Sequence, residues 1–173
     1  FDVNVTTSYA RENYNVTPTT KTVTFNSLYG TLATATRTGY TFAGWYSDQT
    51  CKNEITGNSQ VVNHEAHTLY AKWTANTQTI TYTTTNVTVG ASSPTSIKSH
   101  EGDINATFTS NTGYSMPEDV QVKVGGTLLT DGYTYTRGAD YNSATLVIEK
   151  EYINSAVEVV VPEFDPTATS GEY

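Results

Sequence analysis

Short runs of alternating apolar and polar residues recur along this chain, and long windows of Ala, Leu, Glu and Lys are absent. Alternation of period two marks a half-buried strand, because successive side chains leave a strand on opposite faces. Phe1 to Val5 alternates in this way, and so does Lys21 to Phe25, with Val23 and Phe25 on one face. Between them, residues 6 to 20 are polar and read as a loop ending in Thr17-Pro18-Thr19-Thr20. Leu28 to Leu32 surrounds Gly30 and predicts a turn or a single helical turn. Tyr40 to Tyr46 is a strand with Tyr40, Phe42, Gly44 and Tyr46 on one side. Trp45 then faces the other way, unless a bulge at Gly44 redirects it. Thr68 to Trp73 closes this half, with Leu69, Ala71 and Trp73 on one face, and Ile55, Val61 and Val62 in the intervening loop are placed to cover the core.

The second half reads as all-β. Thr79 to Thr83, Asn105 to Thr109 and Val120 to Val124 alternate. Gly125-Gly126 between Val124 and Thr127 is a hairpin signal, since the turns that suit strand twist need positive φ. Asp131-Gly132 marks a further turn. Tyr133 to Thr136 alternates, and Thr145 to Ile148 and Ala156 to Val161 read as buried strands. Strands at this spacing predict a sandwich or an open barrel. The halves meet near Thr74-Ala75-Asn76-Thr77-Gln78, a polar stretch without Gly or Pro that could run from one strand into the next. The expected organisation is a first domain over 1–75, a second over 76–162 and a linker or tail over 163–173. The halves do not read as copies of one another. A small first domain buries a modest fraction of its surface, so it is expected to lean on its neighbour.

Composition sharpens the class. Hydrophobic residues make up 36% and charged residues 15% of the 173 residues, both low for a soluble globular chain. Threonine fills the difference, and 13 tyrosines add rings that fit a pleated, half-buried surface. These aromatics argue against a disordered chain. The formal net charge of −8, with nine Lys and Arg, argues against a nucleic-acid groove and against an anionic membrane surface. No apolar run approaches the length of a membrane span, and no signal peptide is visible; the chain reads as a piece of a longer protein.

Candidate chemistry is sparse. Cys51 is the single cysteine, so no internal disulfide forms, and as a nucleophile it would need a base such as His64 or His67. His64-Glu65-Ala66-His67 holds metal-ligand residue types, but its histidines are three apart rather than four, and no third ligand is evident. Glu101 with Asp103, Glu118 with Asp119, and Asp131 with Asp140 are acidic pairs too thinly spread for an ordinary calcium loop. Arg137-Gly138-Ala139-Asp140 is not the integrin tripeptide, because Ala139 interrupts it. Asn4, Asn15, Asn86 and Asn105 begin Asn-x-Thr triplets that a threonine-rich chain produces by chance. No nucleophile elbow or phosphate-binding glycine loop is present. The sequence therefore assigns no catalytic, cofactor-binding or metal residue and no cofactor, and the protein is expected not to be an enzyme. A self-formed Lys–Asn isopeptide or Thr–Gln ester would explain stability without disulfides, and an intact mass lower by one ammonia per crosslink would reveal it.

The first half resembles a known family. Lys21-Thr22-Val23-Thr24-Phe25, Tyr29-Gly30-Thr31-Leu32, Arg37-Thr38-Gly39-Tyr40-Thr41-Phe42-Ala43-Gly44-Trp45-Tyr46 and His67-Thr68-Leu69-Tyr70-Ala71-Lys72-Trp73 carry the likeness. Over residues 1–73 the chain resembles the Listeria–Bacteroides repeat, also called the internalin B-type repeat. Val5 to Asn15 reads as an insertion relative to that pattern. The resemblance implies a small β-grasp-like α+β domain, a bacterial exported protein, and a spacer or adhesive module on the cell surface; it brings no catalytic residues. The second half is similar to an all-β repeat of bacterial surface proteins, through Thr85-Asn86-Val87-Thr88, Thr112-Gly113-Tyr114 and Val120 to Gly126. The expected fold is thus mainly β, a β-grasp-like domain followed by an all-β sandwich-like domain. The expected role is a non-catalytic extracellular stalk or spacer with a possible part in adhesion. Its expected partners are neighbouring domains and a host-surface protein or glycan, with no nucleic acid and no membrane insertion within the segment. A host protein- or glycan-binding module is the alternative, and a phage tail module or an enzyme stands further off.

Overall fold

The computed structural model describes residues 1–7, 9 and 11–164. It divides into two compact units, Phe1–Asn76 and the chain from Thr77 onward.

The first unit holds β1 (Tyr14–Thr17), β2 (Thr34–Arg37), β3 (Tyr40–Tyr46), β4 (Glu54–Ile55) and β5 (Tyr70–Ala75) in one antiparallel sheet. β5 pairs along the length of β3, while β2 and β4 meet β3 at its beginning and end. The register slips between Phe42 and Gly44, so that Phe42 faces Trp73, Gly44 faces Lys72 and Ala43 is the extra residue. Gly44 takes φ +125°, a conformation essentially reserved for glycine. One added residue reverses the parity of the strand. Phe42 and Trp45 therefore lie together, ring centroids 5.3 Å apart, with Phe1 4.7 Å from Trp45 and Trp73 5.6 Å from Phe42. Trp45 is 2% exposed and packs with Val16, Tyr29, Ala33, Val61, Leu69 and Ala71. Its indole N–H donates to the Ala33 carbonyl at 2.8 Å, and that of Trp73 to the Val3 carbonyl at 2.7 Å. Both rings thus bury area without stranding a donor.

Four expectations for this unit need correction. Phe1 to Val5 forms no strand; Asp2 makes one isolated parallel bridge with Tyr70, and Phe1 and Val3 pack on the core from there. Lys21 to Phe25 is not a strand either. Val23 is half-buried, Phe25 is 39% exposed, and the Lys21 ammonium donates to the carbonyls of Tyr29 and Thr31. Leu28 to Leu32 makes no helical turn, and the unit has no helix among its described residues. The reason is competition for backbone groups. The amides of Asn26, Tyr29 and Gly30 donate across the chain to the carbonyls of Val61, Ser59 and Gly57, and Val61 returns a bond to Ser27. The polar stretch read as a loop contains β1, and Glu12 within it forms a buried ion pair with Arg37.

The second unit has two sheets. β6 (Thr77–Thr84), β8 (Ser96–Lys98), β10 (Gln121–Val124), β11 (Thr127–Leu128) and β14 (Val157–Val161) run in the order β11-β10-β14-β6-β8. β7 (Val87–Val89), β9 (Ile104–Ser110), β12 (Tyr133–Arg137) and β13 (Ser143–Ile148) run in the order β12-β13-β9-β7. All pairings are antiparallel except that of β14 with β6. Every second residue of the long strands enters one common cluster. Ile80, Val122, Val124, Val157, Val159 and Val161 come from the first sheet; Ile104, Ala106, Phe108, Ala144, Leu146 and Ile148 come from the second. Met116, Val120, Leu129 and Ile153 fill the cluster from outside the strands. The β10–β11 hairpin turns at Gly125 (φ +58°) and Gly126 (φ +78°), the two successive positive φ values that a type I′ turn requires. β7 and β8 were not read from the sequence, because each is only three residues long. Glu163 and Phe164, at the start of the expected tail, lie outside any strand; Glu163 accepts a hydrogen bond from Asn86, and 165–173 lie outside the described residues.

Two tyrosines latch loops onto this unit. Tyr82 donates to the Pro94 carbonyl and Tyr135 to the Pro117 carbonyl, each at 3.0 Å. Burial pushes the Tyr82 phenol up to about 12. Burial does the same for Tyr135, also to about 12, with Asp119 adding to the rise and Arg137 opposing it. Spectrophotometric titration is expected to show a late step near pH 12 from these two phenols. The folded state holds the proton, so the stability tied to these latches is whole below about pH 10 and is lost as pH rises through about 12. A single ionisation step near pH 10 for every tyrosine, with the fold intact, would contradict the burial of these rings.

Candidate functional site

A concavity lies in the first unit, between the 20–25 segment and the 63–67 loop. It encloses about 380 Å³, at the small end of the range for ligand pockets. The loop exists because its two ends are anchored. Val61 and Leu69 are buried in the core, while Asn63 to Ala66 between them stay exposed. The same pairing of 26–30 with 57–61 that replaces a helical turn brings the two lips together.

His67 is held firmly. Its Nδ1 lies 3.0 Å from the Glu65 carbonyl, which can only accept, so Nδ1 carries the proton. Nε2 lies 2.5 Å from the Tyr29 hydroxyl. With both ring nitrogens engaged, the orientation of the imidazole is fixed. Tyr29 is buried at the base of the groove, and burial pushes its phenol up. On the rim, the rings of Phe25 and His64 stack with centroids 3.6 Å apart and an interplanar angle of 23°. Lys21 is committed to the Tyr29 and Thr31 carbonyls. By contrast, the side chains of Thr20, Thr22, Asn63 and Glu65 make no hydrogen bond to any described residue. The groove thus offers an exposed ring pair beside open hydroxyl, amide and carboxylate groups.

The other residues singled out in the sequence lie elsewhere or are spoken for. Cys51 does not line the groove; Sγ sits 3.5 Å from Asn4 Nδ2 and 3.8 Å from the Gln49 and Ala71 carbonyls. His64, Glu65 and His67 do share the groove, but no group of three metal-ligating side chains forms among the described residues. Glu101 pairs with Lys98 at 3.8 Å and Glu118 with Arg137 at 3.7 Å. Asp103 accepts from the Lys150 amide, Asp119 from the Val120 amide and Asp140 from the Asn142 amide. Arg137 also lies over the Tyr141 ring. Asn4 donates inward to the Gln49 and Ala71 carbonyls, while Asn15 donates to Thr17 and Asn105 to the Asp103 carbonyl. Sequence reasoning missed Phe25 and Tyr29 as groove residues. Both looked like core or repeat-motif positions, and no local signal joins them to a loop some forty residues away.

The groove, the bulged β3 and the tryptophan core all fall within one contiguous stretch. Residues 5–72 match the family model of the Listeria-Bacteroides repeat domain. This repeat is found in bacterial surface proteins. The match takes in most of the groove lining and stops one residue before Trp73; it leaves the second unit uncovered. No curated protein matches the chain, and no solved structure does. Among the described residues, no helix is long and apolar enough to cross a membrane.

Proposed function

We propose that this chain is a non-catalytic extracellular segment of a bacterial cell-surface protein, serving as a stalk or spacer. The match of residues 5–72 to a repeat of bacterial surface proteins carries the reading. The organisation of each unit supports it. Short strands close around a dense core in each unit, and some exposed polar side chains brace the loops. Asp48, for example, accepts bonds from Thr50 and from the amides of Lys52 and Asn53, which hold its carboxyl down at about 2. On this reading the first unit is an internalin B-type, β-grasp-like repeat. Its antiparallel sheet around an aromatic core supports that, with a hydrogen-bonded ribbon where a helical turn was expected. The second unit is a sandwich-like surface repeat, supported by two sheets that feed alternate residues into one cluster.

The test uses the bacterium that encodes the protein. Antibodies to this segment are expected to label intact cells, and added protease is expected to remove the label. Replacing the segment with an unrelated folded module of equal span should preserve the parent protein's activity. Labelling only after permeabilisation would remove the surface assignment. Loss of activity on replacement would remove the spacer role.

A further inference from the structure

We propose that the groove of the first unit is a subsite for one neutral sugar ring of a glycan. The inference goes beyond the spacer role and stands on different observations. A pyranose presents an apolar face of C–H groups and a rim of hydroxyls. The groove presents the complementary pair. Phe25, 39% exposed and stacked on His64, supplies a ring surface at the lip, and Thr20, Thr22, Asn63 and Glu65 supply donors and acceptors with no bond to described residues. An amide and a carboxylate on one short loop can each engage neighbouring hydroxyls, and such bonds hold a ring in one orientation.

Other ligand classes fit less well. An anionic ligand would meet the Glu65 carboxylate, while the Lys21 ammonium is occupied by two carbonyls and both ring nitrogens of His67 are engaged with Glu65 and Tyr29. A wholly apolar ligand would cover the open polar groups without replacing their bonds to water, which is unfavourable. An extended peptide adds to the edge of a regular strand, and neither lip of the groove, 20–25 or 63–67, is a strand. The rigid Tyr29–His67 base means that the site needs little reorganisation to bind.

The experiment is an amide NMR titration of the full 173-residue chain with methyl glycosides of glucose, galactose and N-acetylglucosamine, followed by a glycan array. Shifts are expected at residues 20–25 and 63–67, with weak affinity for a single ring. Phe25→Ala should weaken binding about tenfold, and Asn63→Ala should weaken it as well, while Tyr114→Ala in the second unit should not. Phe25 and Asn63 are both exposed, so each variant is expected to keep the wild-type melting profile. Absence of any shift with these sugars, and of any neutral glycan on the array, overturns the proposal. So does binding that survives both groove substitutions. Response confined to sialylated or sulfated glycans also overturns it, since it would report charge and not the ring face.

Discussion

Trp45→Ala is expected to unfold the first unit. The indole is 2% exposed, contacts the rings of Phe1 and Phe42, and satisfies its N–H on the Ala33 carbonyl. Truncating such a side chain costs about 3–5 kcal/mol, through lost transfer energy and the cavity left behind. A unit this small buries only about 60% of its unfolded surface, so its stability lies low in the usual range of about 5–15 kcal/mol. Both tryptophans belong to this unit, so in the variant the fluorescence of Trp73 reports it alone. Its emission should be red-shifted from the start of a urea titration, with no cooperative transition. Trp45→Phe should restore the transition but remain weaker than wild type by about 1 kcal/mol, the worth of the indole hydrogen bond. A Trp45→Ala protein with the wild-type midpoint would refute the core described here. Trp73, only half-buried, should cost less on truncation than Trp45.

Phe108→Ala should have a comparable effect on the second unit. Phe108 is 1% exposed at the centre of β9, which pairs with both β13 and β7, and it lies 5.9 Å from the Tyr82 ring. The expected loss is again about 3–5 kcal/mol. Hydrogen exchange resolved by residue should show the amides of β9 and β13 exchanging at least a hundredfold faster, since 1.4 kcal/mol is tenfold in an opening equilibrium. Leu146→Ala, which empties the neighbouring position on β13, should produce the same pattern at about 2–5 kcal/mol. Unchanged protection in both variants would mean that the two sheets do not share the core shown.

Much of the second unit was readable residue by residue. Val120 to Val124, Tyr133 to Thr136, Thr145 to Ile148 and Ala156 to Val161 lie on or across strands β10, β12, β13 and β14, and Gly125-Gly126 is a hairpin turn. Strict alternation survives there because each inward residue meets the same facing sheet. The first unit was less legible where backbone pairing overrode local pattern. Lys21 to Phe25 has a strand's alternation but lies outside every strand, and Tyr29-Gly30 is tied to Gly57 and Ser59 instead of turning on itself. The groove was illegible for the same reason. His64 and His67 stood out as residue types, but Phe25 and Tyr29 reach them only through that long-range ribbon.

By itself the sequence determined that the chain is β-rich, acidic, tied by no internal disulfide and, in its first half, built around a few large rings. Those properties follow from composition and period-two patterning, which need no knowledge of who pairs with whom. Tertiary structure alone decided which way Trp45 points and where the rings of Phe25 and His64 meet. A single extra residue at Ala43–Gly44 inverts the face of everything after it, and only the register against β5 shows that the residue is there.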